Sequence, residues 1–216
     1  MKKLFFIISL ICAMASVHAQ KTEKDVFSKE KLIWYGLDFS QARFVGQFDQ
    51  GAGAAPATAQ DIKQKYIPAW NKLVIDEPNK FDIKNFFRKP TVIYDIAPVE
   101  KNNDNINEDK LLDINEFSFT NPNSVVEKIV NGYSKGDNAE GLGLVFIVES
   151  VNKANVEMRV YVTYFDIASH QVIFSEKVTG KPRGIGLRNY WGGAVFDVME
   201  MVEKYHYGVW KRKYLK

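Results

Sequence analysis

Residues 142–180 read LGLVFIVESVNKANVEMRVYVTYFDIASHQVIFSEKVTG, and this stretch decides the fold. Leu142 to Val148 are apolar throughout, as in a strand covered on both faces. Val156, Met158, Val160, Val162 and Tyr164 alternate with Glu157, Arg159, Tyr161, Thr163 and Phe165, the period of a strand with two distinct faces. Ile167 to His170 supply a turn, and Gln171 to Thr179 run back as the hairpin partner. A glycine-rich loop follows. The spacing of Trp191, Val195, Val198, Val202 and Tyr205 then predicts a long helix from about Arg188 to Tyr207.

Working outward, Lys31 to Phe39 (KLIWYGLDF) reads as a first strand. Residues 20–30 are polar and are expected to be loose, and Gly51 to Ala57 form a small-residue loop. Thr58 opens a helix, with Asp61 at the reciprocal capping-box position. Ile62, Tyr66, Trp70 and Leu73/Val74 share one helix face, and Pro68 should kink or split that helix. Phe81 to Phe87 suggest a short helical turn. Thr91 to Val99 read as a second strand ended by Pro98, and residues 100–116 as an exposed polar insertion. Asn121-Pro122 open another helix, with Val125, Ile129 and Tyr133 as its buried stripe and Gly136 as its stop. The order β-α-β-α-β-β-β-α predicts an α/β fold (α+β mixed): a two- or three-layer sandwich on a mixed sheet, with an early parallel crossover and a late antiparallel meander. Residues 31–216 read as a single domain.

The first residues carry an address. Lys2 and Lys3 precede an apolar run from Leu4 to Ala15, broken only by Ser9, and Val17-His18-Ala19 end it before Gln20. This is the pattern of a cleaved secretory signal over residues 1–19, so the expected location is periplasmic or extracellular. Bulky Ile11 before Cys12 argues against lipidation. Cleavage would remove Cys12, the only cysteine, and with it any thiol chemistry or thiolate metal site. It would also take the formal charge from +3 to +1, which makes no case for nucleic acid.

Residues Tyr164-Phe165-Asp166, Ala168-Ser169 and Val172-Ile173-Phe174-Ser175, followed by Gly180 and a helix from Arg188, form a recognisable run. It resembles the α/β domain shared by TolB-type amino-terminal domains, curli-secretion lipoproteins and the lipoprotein activators of cell-wall synthases, over about residues 142–202. The resemblance implies a periplasmic interaction and assembly module that docks on other envelope proteins. It implies no catalytic residues and no cofactor.

Candidate sites are few. Lys181, Arg183, Gly184, Gly186 and Arg188 place cations and flexible backbone before a helix start, as an anion site requires, although a tight strand-to-helix connection needs the same glycines. Asn105, Asn107, Asp109, Asp113 and Glu116 occupy calcium-loop spacings, but Lys110 stands where such a loop needs glycine, so a solvated loop is expected and no metal. Asp166, Ser169 and His170 lie within one turn, too close in sequence for a catalytic relay. His206 falls near a helix end, where a cation suits the dipole. Asp38 and Asp95 lie in apolar strands and would suit acid–base hydrolysis if adjacent. Lys211, Arg212 and Lys213, between Trp210 and Tyr214, form a basic aromatic tail suited either to an anionic envelope surface or to a solvated helix end. The balance favours a non-enzymatic interaction module, with anion binding and hydrolysis as the alternatives.

Overall fold

In the computed structural model, residues 20–48 and 56–216 are described. The signal-peptide reading of residues 1–19 and most of the 51–57 loop lie outside them. The elements, in chain order, are α1 (Glu23–Phe27), β1 (Leu32–Asp38), β2 (Arg43–Val45), α2 (Ala59–Asp61), α3 (Ile67–Asp76), α4 (Ile83–Phe86), β3 (Val92–Tyr94), α5 (Ala97–Asp104), β4 (Leu112–Asp113), α6 (Pro122–Asn131), β5 (Leu142–Asn152), β6 (Glu157–Asp166), β7 (Val172–Gly180), α7 (Leu187–Met201) and α8 (Tyr207–Tyr214).

Strand β5 is the spine of a seven-stranded sheet. On one side β6 runs antiparallel to it, and β7 antiparallel to β6, which is the predicted meander. On the other side two parallel strands share its length. Strand β1 pairs with Leu142 to Ile147 and β2 with Ser150 to Asn152. Beyond them lie two short parallel strands, β3 beside β1 and β4 beside β2. The sheet is therefore continuous at β5 and interrupted one column away, between Asp38 and Arg43.

Alternation along β1 sorts its side chains into two cores. Leu32 and Trp34 join Phe146, Trp70 and Trp191 in the larger core, under α3, α7 and α8. Ile33 and Tyr35 join Val145, Ile147 and Phe165 in the smaller core, which Val99 of α5 and Val126, Ile129 and Val130 of α6 cover. Helices thus cover both faces, giving the three-layer form of the sandwich. Trp34 meets Phe146 edge-on at 4.9 Å, and Tyr35 meets Phe165 likewise at 4.9 Å. Each such fully buried side chain contributes roughly 1.5–3 kcal/mol by leaving water.

Local signals behave as their chemistry requires. Thr58 Oγ1 accepts from the Asp61 amide at 3.1 Å, and Asp61 Oδ2 accepts from the Thr58 amide at 3.0 Å, so the capping box forms. Pro68 has no amide hydrogen to give, and the helix is split ahead of it by a π-helical turn over Ile62–Tyr66. A second π turn, Val202–His206, joins α7 to α8 and carries the last helix past Tyr207 to Tyr214.

Four expectations need correcting. The second strand is only Val92–Tyr94, because Pro98 sits in the first turn of α5, where its missing donor costs nothing, and does not merely end a strand. Residues 100–116 are largely exposed but are built into the body: most of α5 and all of β4 lie there, and Asn103, Ile106 and Leu111 are buried. Helix α6 is capped at Gly132, short of Gly136. Residues 20–30 are ordered around α1, whose Val26 is fully buried. The Lys89 ammonium donates to the Asp25 carbonyl at 2.9 Å and the Ser28 carbonyl at 3.2 Å, tying this segment to the body. Burial lowers the pKa of Lys89 to about 8.

Candidate functional site

The interruption between β1 and β2 organises the candidate site. Strand β3 reaches only Tyr94, opposite Trp34, so the far end of β1, paired with β5 on one side, has no strand on the other. Two asparagines take over. Asn71 of α3 accepts from the Leu37 amide at 2.7 Å and donates to the Leu37 carbonyl at 3.0 Å. Asn103 of α5 donates to the same carbonyl at 3.0 Å and accepts from the Phe39 amide at 2.7 Å. A carboxamide carries the donor and acceptor of a peptide group, so it satisfies buried backbone as a strand would. Gly36 makes room: its φ is +105°, and a Cβ there would sit 2.5 Å from Asn71 Oδ1.

Asp38 ends β1 with no exposed surface. Its Oδ1 accepts from the Ser40 amide at 2.8 Å. Its Oδ2 accepts from Asn102 Nδ2 and from the Tyr133 hydroxyl, each at 2.9 Å. Burial, reinforced by the Asp38 charge, holds the Tyr133 phenol well above its ordinary pKa, so it stays protonated and donating. Asn102 Nδ2 also lies 3.2 Å from Ser40 Oγ.

Above this cluster lies a cleft of about 340 Å³ whose walls include Ser40, Asn102, Asn105, Val125, Lys128 and Ile129. A smaller lobe of about 180 Å³ shares Ser40, Gln41 and Asn105 and reaches Arg43, Asn107 and Lys110. The two lobes are lined by amides, a hydroxyl and three cations, and among the described residues no carboxylate lines them. Arg43 Nη1 is held by the Ala42 carbonyl at 2.9 Å, and its guanidinium lies 5.0 Å from the centre of the Phe117 ring. The cleft opens at the carboxyl end of parallel strand β1, where open α/β sheets commonly bind ligands. Among the described residues the side-chain partner of Ser40 Oγ is the Asn102 amide, which takes no proton at ordinary pH. The arrangement can orient hydroxyl and anionic groups.

The residues singled out from sequence are distributed elsewhere. Asp95 sits at the end of β3, where its Oδ2 accepts from Asn138 N and Nδ2, both at 2.9 Å, and its Oδ1 has no partner among the described residues. Its amide pairs with the Trp34 carbonyl. That places it roughly four residues, or about 13 Å, back along β1 from Asp38. The two carboxylates share no hydrogen-bond partner. In the glycine loop, Arg183 pairs with Glu200 at 2.5 Å and Arg188 with Glu77 at 3.8 Å, while Asp197 accepts the Lys181 amide at 2.8 Å. Gly184 and Gly186 lead into α7, and a Cβ at Gly193 would lie 2.1 Å from the Arg183 carbonyl oxygen. The loop is a close strand-to-helix connection whose arginines already have carboxylate partners.

Asn105, Asn107, Asp109, Asp113 and Glu116 do not converge. Asn107 caps Asp109, Asp113 accepts from Asn115, and Glu116 binds Asn152 and Arg159. Among the described residues no group of three or more His, Asp or Glu side chains is arranged to hold a metal. Ser169 Oγ donates directly to Asp166 at 2.8 Å, so His170 does not lie between them. His206 is in a π turn, stacked on Trp210 at 5.4 Å, and burial lowers its pKa; the cationic role expected at a helix end is therefore disfavoured. Lys213 pairs with Glu176 at 2.5 Å, while Lys211 and Arg212 are exposed on α8, which is helical to Tyr214.

Asn71, Asn102, Asn103 and Glu149 carry no periodic signal and escape sequence reading. Glu149 has no exposed surface and accepts from Lys177 Nζ at 2.9 and 2.8 Å and from the Phe119 amide at 2.9 Å. The Asn102-Asn103 pair just after a helix-starting proline is the one signal that was available. No family model, curated protein or solved structure matches the chain. The likeness of residues 142–202 to envelope assembly domains therefore rests on its residue pattern alone.

Proposed function

We propose that this chain is an exported, non-catalytic binding module whose cleft beside Asp38 takes a small anionic, hydroxyl-bearing ligand such as a sugar acid or sugar phosphate. One observation carries the reading. Lys128, Arg43 and Lys110 line the cleft together with Asn102, Asn105 and Ser40, and among the described residues no carboxylate lines it. Cations attract the anion, and amides with a serine hydroxyl match hydroxyl groups in both directions. The main lobe, at about 340 Å³, falls within the range of small-molecule sites, roughly 300–1,000 Å³. Asp38 is occupied by three neutral donors and acts as the anchor that holds Asn102 and Ser40 at the floor. The envelope role implied by residues 142–202 agrees with this reading, since such domains work by binding.

Thermal-shift screening against sugar acids, sugar phosphates and their neutral parent sugars tests it. At a hundredfold excess over Kd a true ligand stabilises by about 2.7 kcal/mol. The anionic members should raise the unfolding midpoint of the wild type and not of Lys128→Glu. A shift that survives Lys128→Glu together with Arg43→Gln, or a panel without any shift, removes this cleft as the site.

A further inference from the structure

The outer face of α8 points to a second surface. Its inner face is buried: Trp210 packs on Phe174 at 5.9 Å, and Tyr214 stacks on Phe174 at 4.3 Å. Outside it Val209 is 49% exposed, as are Tyr205 at 63% in the preceding π turn and Leu215 at 37% just past the helix end. Val209 and Arg212, three apart, share one face of α8, with Tyr205 before it and Lys216 after it in the chain. Lys211 flanks it. Lys204 and Lys213 are held by Glu200 and Glu176, but among the described residues no carboxylate pairs with Lys211, Arg212 or Lys216.

We infer that this face docks flat on an anionic lipid bilayer. A helix C-terminus favours cations, and that accounts for the charges alone. It does not account for a tyrosine and a valine left in water just before those charges in the chain. An apolar and aromatic patch bordered by unpaired Lys and Arg is the composition of a helix lying in the headgroup region, with Tyr at the polar boundary and cations on the phosphates. Each cation near an anionic surface strengthens binding about fivefold, and three together about a hundredfold. Among the described residues no helix is long and apolar enough to cross a membrane.

The test is co-sedimentation of the full chain with vesicles of phosphatidylcholine, with and without phosphatidylglycerol. Wild type and variants carry the same first 20 residues, so any binding by the apolar run is common to all. The expected result is binding that requires phosphatidylglycerol and falls by at least about a hundredfold in Lys211→Glu/Arg212→Glu/Lys216→Glu. It should also weaken in Tyr205→Ser/Val209→Ser, with the circular dichroism melt of both variants unchanged. Equal binding by the charge-reversed variant overturns the proposal, as does binding indifferent to phosphatidylglycerol. Retention on a soluble polyanion without vesicle binding also overturns it, by making the face a reader of charged polymer and not of lipid.

Discussion

Removing one hydroxyl, in Tyr133→Phe, tests whether Asp38 anchors the break in the sheet. The ring is buried and packs 5.7 Å from Tyr35 and 6.0 Å from Phe165, so phenylalanine keeps the shape and deletes only the donor to Asp38 Oδ2. Asp38 has no exposed surface, so water has no direct route to the vacated lone pair. A hydrogen bond to a charged group contributes about 1.5–3 kcal/mol, and two donors remain, so the expected loss is about 2 kcal/mol. For a chain of this size that lowers the thermal midpoint by roughly 6 °C. Urea unfolding measures the free energy, and the slope should be unchanged because little additional surface is exposed. Asp38→Asn completes a double-mutant cycle: without the charge, Tyr133→Phe should cost much less, with a coupling of about 1 kcal/mol or more. A loss below about 0.5 kcal/mol for Tyr133→Phe, or a coupling near zero, refutes the anchoring argument, since the carboxylate would then find another donor as good.

Two further perturbations address the frame around the site. Lys89 has a folded pKa of about 8 against an ordinary 10.5, so the unfolded chain binds more protons between those values and stability should rise with pH there. The difference in unfolding free energy between wild type and Lys89→Met should therefore grow from pH 8 to 10.5 and stay flat below pH 8. A difference that is flat throughout would show an amine that keeps its proton. Gly193→Ala would place a methyl group 2.1 Å from the Arg183 carbonyl oxygen, forcing backbone to move. A destabilisation of about 2–3 kcal/mol in urea unfolding is expected, and a loss under ~0.5 kcal/mol would mean that α7 lifts off the loop without cost.

What the sequence made legible follows from how its signals arise. The meander and the Thr58 cap were readable because period-two alternation and a Thr-to-Asp spacing are local patterns that tertiary contacts only reinforce. Helix α5 and strand β4 were not. The buried residues of this stretch, Pro98, Val99, Asn103, Ile106 and Leu111, are sparse among polar neighbours, and one of the five is itself an asparagine. Asp38 was recognised as a residue to watch, yet its role lies in donors from residues 40, 102 and 133, which only the fold assembles. Asn71 and Asn103 do the work of a missing strand, and a side chain that binds backbone leaves no periodic trace in sequence. The arginines of the glycine loop looked available because Glu77 and Glu200 lie on other elements.

The parallel pairing of Leu32 with Leu142 sets a timetable for the nascent chain. The first strand cannot join its central neighbour until about 110 further residues have been made, roughly ten seconds at ordinary synthesis rates. For about the first 60 residues of that interval Leu32-Ile33-Trp34-Tyr35, fully or almost fully buried at the end, has no strand partner, and after that only the short strand β3. Loop closure over such a span is slow, and an uncovered segment of this composition is prone to self-association. A chain built this way is one for which a holding chaperone, or delayed folding, should improve yield.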